Sequence, residues 1–183
     1  MDALSLLLNR RSQPRLTAPA PAEQALENIK QAALRAPDHG ALMPWHFIVC
    51  EGQGLHKLGS IFERSAIEND KTEKEIERAP QLPLRAPMVI VAIAKYQEHP
   101  KVPRVEQIAS TSCAVMAMQM AAQAQGFNGL WRTGAYAQCD IVKKELNLND
   151  EDEIVGFLYL GTPVTTALPP EKKEAEVFFN HWR

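Results

Sequence analysis

The sequence predicts an α+β domain in which helices outnumber strands, with a central mixed sheet, surrounding helices and one buried central helix. Three observations carry this. Residues 88–94 (MVIVAIA) and 154–160 (IVGFLYL) are short continuous apolar runs of strand length, as expected for strands covered on both faces. Between Cys113 and Ala124 nearly every residue is apolar, with only Gln119 and Gln123 interrupting a stretch rich in the helix formers Ala and Met. A helix apolar on almost every face predicts burial on almost every face, and at roughly 15 residues it falls short of the ~20 that span a bilayer.

Taken in order, Asp2 is placed to cap a first helix whose Leu4, Leu7 and Leu8 share one face. That helix ends near Arg10 and Arg11, and Pro14 prevents simple continuation. A second helix follows from about Pro21, its stripe formed by Ala25, Leu26, Ile29, Ala32 and Ala33, with Arg35 in the last turn. Residues 37–44 form a loop bounded by prolines, and 45–50 (WHFIVC) read as an interior strand. A helix bearing Leu55, Leu58, Ile61 and Phe62 comes next. Residues 68–78 are charge-dense, with Ile76 the only apolar side chain, and predict a solvated helix or mobile excursion. Pro80, Pro83 and Pro87 lead into the first apolar run, and a polar connection over 96–107 leads to the buried helix, with Glu106 near its start. Gly126 suits the left-handed position after a helix end, and a further helix is expected from about Cys139 to Leu146. After the last strand and its Gly161-Thr162-Pro163 stop, the tail carries Phe178, Phe179 and Trp182.

The 183 residues fit one domain, 1–183, large enough for a monomer to bury roughly 70% of its unfolded surface without staples. Its tail, from about 164 to 183, is too apolar to float and is expected to dock on the core or on a partner subunit. With 20 basic and 22 acidic side chains in mixture the net charge is −2, which argues against a nucleic-acid binder. Cys50, Cys113 and Cys139 lie far apart without a CxxC spacing, so neither a metal site nor a disulfide framework is implied. Asp2 stands where a secretory signal would carry positive charge, and no run is long enough for a membrane span, so the chain is expected to be cytoplasmic.

Three places could carry chemistry. Arg10, Arg11 and Ser12 set two guanidinium groups and a hydroxyl at a helix-to-loop junction, a phosphate-binding set; the same arginines also suit a helix C-terminus. Arg35 is similar, and His39 by itself reads as an ordinary loop histidine. Trp131, Arg132 and Thr133 emerge from the buried helix through Gly126 and Gly129, which permit close approach of a planar heteroaromatic ligand. The alternative is a strand with Trp131 in the core. No GxSxG elbow, Walker loop or GxGxxG is present, and Cys113 has no basic neighbour in sequence to activate it. What remains is a site of scattered residues with the electron chemistry supplied by a cofactor.

Together these stretches resemble the flavin-dependent nitroreductase family. The resemblance rests on Arg10-Arg11-Ser12, on Arg35-Ala36-Pro37 followed by Pro44-Trp45-His46-Phe47, and on Arg85-Ala86-Pro87 before a strand. It continues through the buried helix with Gly126-Phe127-Asn128-Gly129-Leu130-Trp131 and through residues 156–163 (GFLYLGTP), in family order over roughly 1–163. The resemblance implies a nitroreductase-like α+β homodimer with FMN at the subunit interface, reduced by NADH or NADPH and reoxidised by a nitroaromatic, quinone or other electron-poor acceptor in a ping-pong cycle. It implies that Arg10, Arg11, Ser12, Arg35, His39, Trp131, Arg132 and Thr133 bind FMN, with Arg35 and His39 from one subunit and the others from its partner. Ala121, Ala122, Gln123, Ala124, Gln125 and Gly126 would form the nicotinamide approach. No protein residue need be catalytic, since the flavin carries the chemistry. The chain departs from the family in carrying Ala41 and Met43 where Asn and Gln are common, and the basic residue often found after the Gly-x-Pro turn has no obvious equivalent, Lys172 and Lys173 being unaligned candidates. An FMN-binding sensor or storage protein with little turnover is the alternative these departures raise.

Overall fold

The computed structural model describes residues 2–165, 170, 171 and 173–183; Lys172 lies outside them. The first helix, α1 (Ala3–Asn9), starts where Asp2 accepts from the Ser5 amide at 3.0 Å. Then come β1 (Leu16–Thr17), α2 (Glu23–Ala33), β2 (Trp45–Glu51), α3 (Gln53–Glu68) and α4 (Glu73–Arg78). The second half contains β3 (Met88–Ala94), α5 (Arg104–Ala124), β4 (Asn128–Arg132), α6 (Asp140–Glu145) and β5 (Glu153–Pro163). The charge-dense excursion is ordered by a capping box, in which the Thr72 amide and hydroxyl both donate to Glu75 Oε2.

Among the described residues every strand pairing is antiparallel, where a mixed sheet is expected from the sequence. The reason is that a continuous apolar run reports cover on both faces and carries no information about strand direction. In β3, Val89, Val91 and Ile93 face one layer while Met88, Ile90, Ala92 and Ala94 face the other, following the two-residue period. The first set packs with Leu55, Leu58 and Phe62 of α3; the second packs with Met118 and Ala122 of α5 and Ile29 of α2. The strand is buried throughout.

The long strand β5 is the hub. Its residues 157–160 pair with β3 on one edge and with β4 on the other, and β1 joins at residues 162–163. Gly156 makes this possible, because a Cβ there would collide with the Trp131 indole and come within 2.7 Å of the Arg132 carbonyl. Across that gap Trp131 Nε1 donates to the Val155 carbonyl at 3.2 Å.

Helix α5 differs from its expectation in two ways. It begins at Arg104, right after Pro103, and runs 21 residues. It is also not buried all round: Ala114, Val115, Met118 and Ala122 face the sheet, while Val105, Ala109, Cys113, Met116 and Ala124 form an exposed stripe on the opposite side. The apolar pattern on that outer face is real, and among the described residues only Met120, between Met116 and Ala124, is buried on it. No helix among the described residues is long and apolar enough to cross a membrane. The α1 leucines are exposed, as are Phe178 at 74% and Trp182 at 98%.

Candidate functional site

Arg10 and Ser12 sit together in the loop after α1, where Arg10 Nη1 donates to Ser12 Oγ at 3.4 Å; Arg11, between them, is also engaged. The loop is fastened to β4 by a shared acceptor. The Gly129 carbonyl receives both the Gln13 amide at 3.0 Å and Gln119 Nε2 at 2.9 Å. Gln119 is buried and Gln13 nearly so. These two glutamines are the positioning residues that sequence reasoning passes over; the signal was Gln119, a polar interruption in an otherwise apolar helix. Arg10, Arg11 and Ser12 thus lie beside the start of β4, level with the C-terminal half of α5.

Trp131 and Arg132 alternate across β4. Trp131 packs into the α5-side core, as the core-strand reading had it, whereas Arg132 turns to the α3 side and lies over the Tyr159 ring at 5.7 Å. Arg132 Nε is buried and has no hydrogen-bond partner among the described residues. An orphaned buried guanidinium nitrogen calls for a ligand or a water. Burial pushes the Tyr159 phenol up, while Arg132 and Arg85 pull the other way. Thr133 follows at the exposed strand end, and a 430 Å³ cleft opens along residues 130–134.

Arg35 and His39 belong elsewhere in the chain. Arg35 is exposed just past α2, two residues from Pro37, whose carbonyl accepts from Ser110 Oγ at 2.6 Å. His39 Nδ1 contacts Glu106 Oε2 in the first turn of α5 at 2.7 Å. The loop around it is held by Asp38, whose carboxylate accepts from the Leu42 and Met43 amides at 3.2 and 2.7 Å. Met43 stays 69% exposed. At 1.5 Å rise per residue, Glu106 and Gln119 are separated by about 20 Å along α5. One chain therefore seats Arg10, Arg11 and Ser12 level with Gln119 in the C-terminal half of α5 and His39 against Glu106 in its first turn, with Trp131, Arg132 and Thr133 further along β4.

Residues 121–126 are the last turn of α5 and its exit, with Gly126 at φ +86°. Ala122 is buried, and the Gln125 amide is committed, Nε2 donating to the Ala25 and Ala121 carbonyls and Oε1 accepting from Asn28. Ala124 and Gly126 are the exposed members.

A second cavity, about 300 Å³, lies beside α3 and is lined by Ser65, Asn69, Tyr136 and Cys139 among others. Burial raises the Cys139 thiol, but Ser65 Oγ at 3.1 Å, the Val142 and Ile141 amides and Asn69 together outweigh it and hold the thiol below its usual range. Among the described residues no group of His, Cys, Asp and Glu side chains could hold a metal ion.

Comparison with known proteins identifies the family and the fold. The model of the nitroreductase family matches residues 7–162. The Escherichia coli K12 protein named "Putative NAD(P)H nitroreductase YdjA" is 52% identical over 163 residues, covering 89% of each chain. A nitroreductase-like family protein from Bacillus cereus superposes with a TM-score of 0.84 at 22% identity, over all of this chain and 96% of that one. An FMN-dependent nitroreductase from Clostridium difficile R20291 gives 0.71 at 19% identity, over 98% of this chain and 99% of that one.

Proposed function

The chain belongs to the nitroreductase family, and from that premise we propose that two copies of it hold FMN between them. They would carry reducing equivalents from NADH or NADPH to a nitroaromatic, quinone or other electron-poor acceptor. The observation that carries this reading is that His39, held at Glu106, lies about 20 Å along α5 from Gln119, the level at which the 10–12 loop is fastened. The helix between them presents an uncovered apolar stripe of Val105, Ala109, Cys113, Met116 and Ala124. A two-fold axis through that stripe would set one protomer's Arg35 and His39 beside its partner's Arg10, Arg11, Ser12, Trp131, Arg132 and Thr133. The exposed α1 leucines and the aromatic tail are further apolar surface for a second copy to cover.

FMN, when bound, would supply hydride acceptance from the nicotinamide and electron delivery to the acceptor. The chain's own work is binding and positioning. Arg10, Arg11 and Ser12 suit a phosphate, because the guanidinium fork pairs two oxygens at once and the hydroxyl adds a donor. The half-buried Arg132 fixes positive charge beside the cleft, and Trp131 stiffens the strand end that presents it. Residues 121–126 would border the nicotinamide through the open surface of Ala124 and Gly126. Donor and acceptor would use one pocket in turn, a ping-pong order that needs no protein nucleophile.

The test is the visible absorption spectrum of the purified protein and of the supernatant after heat denaturation, with Arg10→Ala and Arg35→Ala titrated in parallel. A flavin spectrum released by heat, with FMN affinity reduced about tenfold or more in each variant, is the expected result. A colourless protein that takes up no added FMN sinks the proposal. A second reading, an FMN-binding sensor or storage protein, draws on Ala41 and the exposed Met43, which offer the loop no side-chain amides. Bound FMN without oxidation of NADH or NADPH by any acceptor would favour it.

A further inference from the structure

The cleft at the end of β4 has an unusual charge balance. Arg78 from the end of α4, Arg85 just before β3 and Arg132 from β4 all line it, and no carboxylate does. None of the three has an ion pair or side-chain hydrogen bond among the described residues, and Arg132 makes only its contact with Tyr159. Two other arginines are matched, Arg64 with Glu145 at 2.6 Å and Arg104 with Glu153 at 2.7 Å. Unpaired cations around a concave space focus the field and draw in anions. The guanidinium fork then selects planar two-oxygen groups such as carboxylates, with sulfonates and phosphates also suited.

The rest of the wall is aromatic. Tyr136 stacks on Phe62 with ring centroids 4.3 Å apart, Phe157 meets Phe62 edge-on at 5.1 Å, and Tyr159 lies beneath Arg132. Such a preordered surface suits a flat ring, and the cleft volume of about 430 Å³ is within the range of small-molecule sites. Its mouth is bordered by Arg132 and Thr133, which the previous section assigns to the flavin.

We propose that this cleft selects the electron acceptor by charge, taking a planar aromatic acceptor that carries a carboxylate, sulfonate or phosphate, with Arg78 and Arg85 binding the anion. The inference rests on the flavin reading for the word acceptor, while the anion preference stands on the cleft alone. Arg78 closes the charge-dense segment 68–78, so part of that excursion serves recognition in addition to solvation. The same anion chemistry could come from the FMN phosphate, and the test separates the two sources.

The experiment compares 4-nitrobenzoate with its neutral counterpart 4-nitrobenzamide in the protein as purified, and in Arg78→Gln, Arg85→Gln and Arg85→Lys. The ratio of kcat/KM values for the two acceptors is expected to fall about tenfold or more in each Gln variant, and less in Arg85→Lys, which keeps the charge without the fork. Calorimetric binding of the two compounds without reductant should lose the same preference, and FMN affinity should stay within about twofold of the parent. An unchanged ratio with unchanged binding preference overturns the proposal. A tenfold loss of FMN affinity with the ratio intact also overturns it, since the cleft would then hold the cofactor phosphate. If the protein proves flavin-free, the proposed function falls by itself. Calorimetry then still decides the anion site, which stands if 4-nitrobenzoate is preferred through Arg78 and Arg85 and fails if it is not.

Discussion

Helices α3 and α5 cover opposite faces of one sheet, yet they meet the outside differently. On α3 the buried positions Leu55, Leu58, Ile61, Phe62, Ser65 and Ala66 lie on one side, while Lys57, Ser60 and Arg64 face water. That helix is finished by solvent. On α5 the sheet-facing side is equally well packed, but the outward side carries Val105, Ala109, Cys113 and Met116, with Val105 68% and Met116 38% exposed. An amphipathic helix declares that its layer is the last one. A helix apolar on both sides declares that another layer belongs over it, and His39 and the 10–12 loop are anchored toward opposite ends of that face.

Substitutions can break this contrast or sharpen it. The largest effect is expected at Phe62→Ala, which removes a 1% exposed ring, its stack on Tyr136 and its edge contact with Phe157. Urea denaturation should register a loss of about 3–5 kcal/mol with the oligomeric state unchanged. A change of assembly there would mean that the α3 face is not closed. Next comes Met116→Glu, which places a carboxylate in the middle of the outer α5 stripe. Sedimentation should show dimerisation weakened about a hundredfold, roughly 3 kcal/mol, with FMN lost in step. Lys57→Glu on the outer face of α3 is the matching control and should leave assembly alone. A dimer that tolerates Met116→Glu would refute the stripe as its interface.

The smallest of the three touches neither helix face. Asp152, 1% exposed before β5, receives Lys95 Nζ and the Tyr96 and Asn149 amides. Burial works against its charged form, but the Lys95 hydrogen bond, the Asn149 and Tyr96 amides and the Lys95 charge outweigh that and hold the carboxyl below its usual range. A depressed carboxyl contributes stability that is fully present above the unfolded value of about 3.9 and is lost as pH falls through the lower folded value. Because Lys95 is 37% exposed, the pair is discounted for screening, and Asp152→Asn should cost about 2 kcal/mol at neutral pH. Stability measured from pH 6 down to pH 2 should drop in the parent and be flatter in the variant. Equal slopes would remove Asp152 from the acid response.

Much of this was legible in the chain. The cap at Asp2, the strand over Met88–Ala94, the strand after Glu153 and the helix after Cys139 follow from local rules of capping, period and apolar run length. The candidate residues Arg10, Arg11, Ser12 and the Trp131-Arg132-Thr133 run rest instead on side-chain chemistry and on the family resemblance. The outward side of α5 was misjudged for a definite reason. An apolar surface waiting for a partner has the same pattern as one already in the core, and only the packed chain distinguishes them. Strand direction escaped for a similar reason, since the two-residue period is the same in either orientation.

By itself, then, the sequence determined the element types, the apolar faces and the inventory of cations and hydroxyls, all of which depend on neighbours a few positions apart. Tertiary structure alone decided that Gln13 and Gln119 share the Gly129 carbonyl, that His39 sits about 20 Å along α5 from the level at which the 10–12 loop is fastened, and that Arg78, Arg85 and Arg132 meet around one cleft. Those relations join residues far apart in the chain. Local propensity carries no distance between them; the register of β4 on β5 and the seating of α5 on the sheet do.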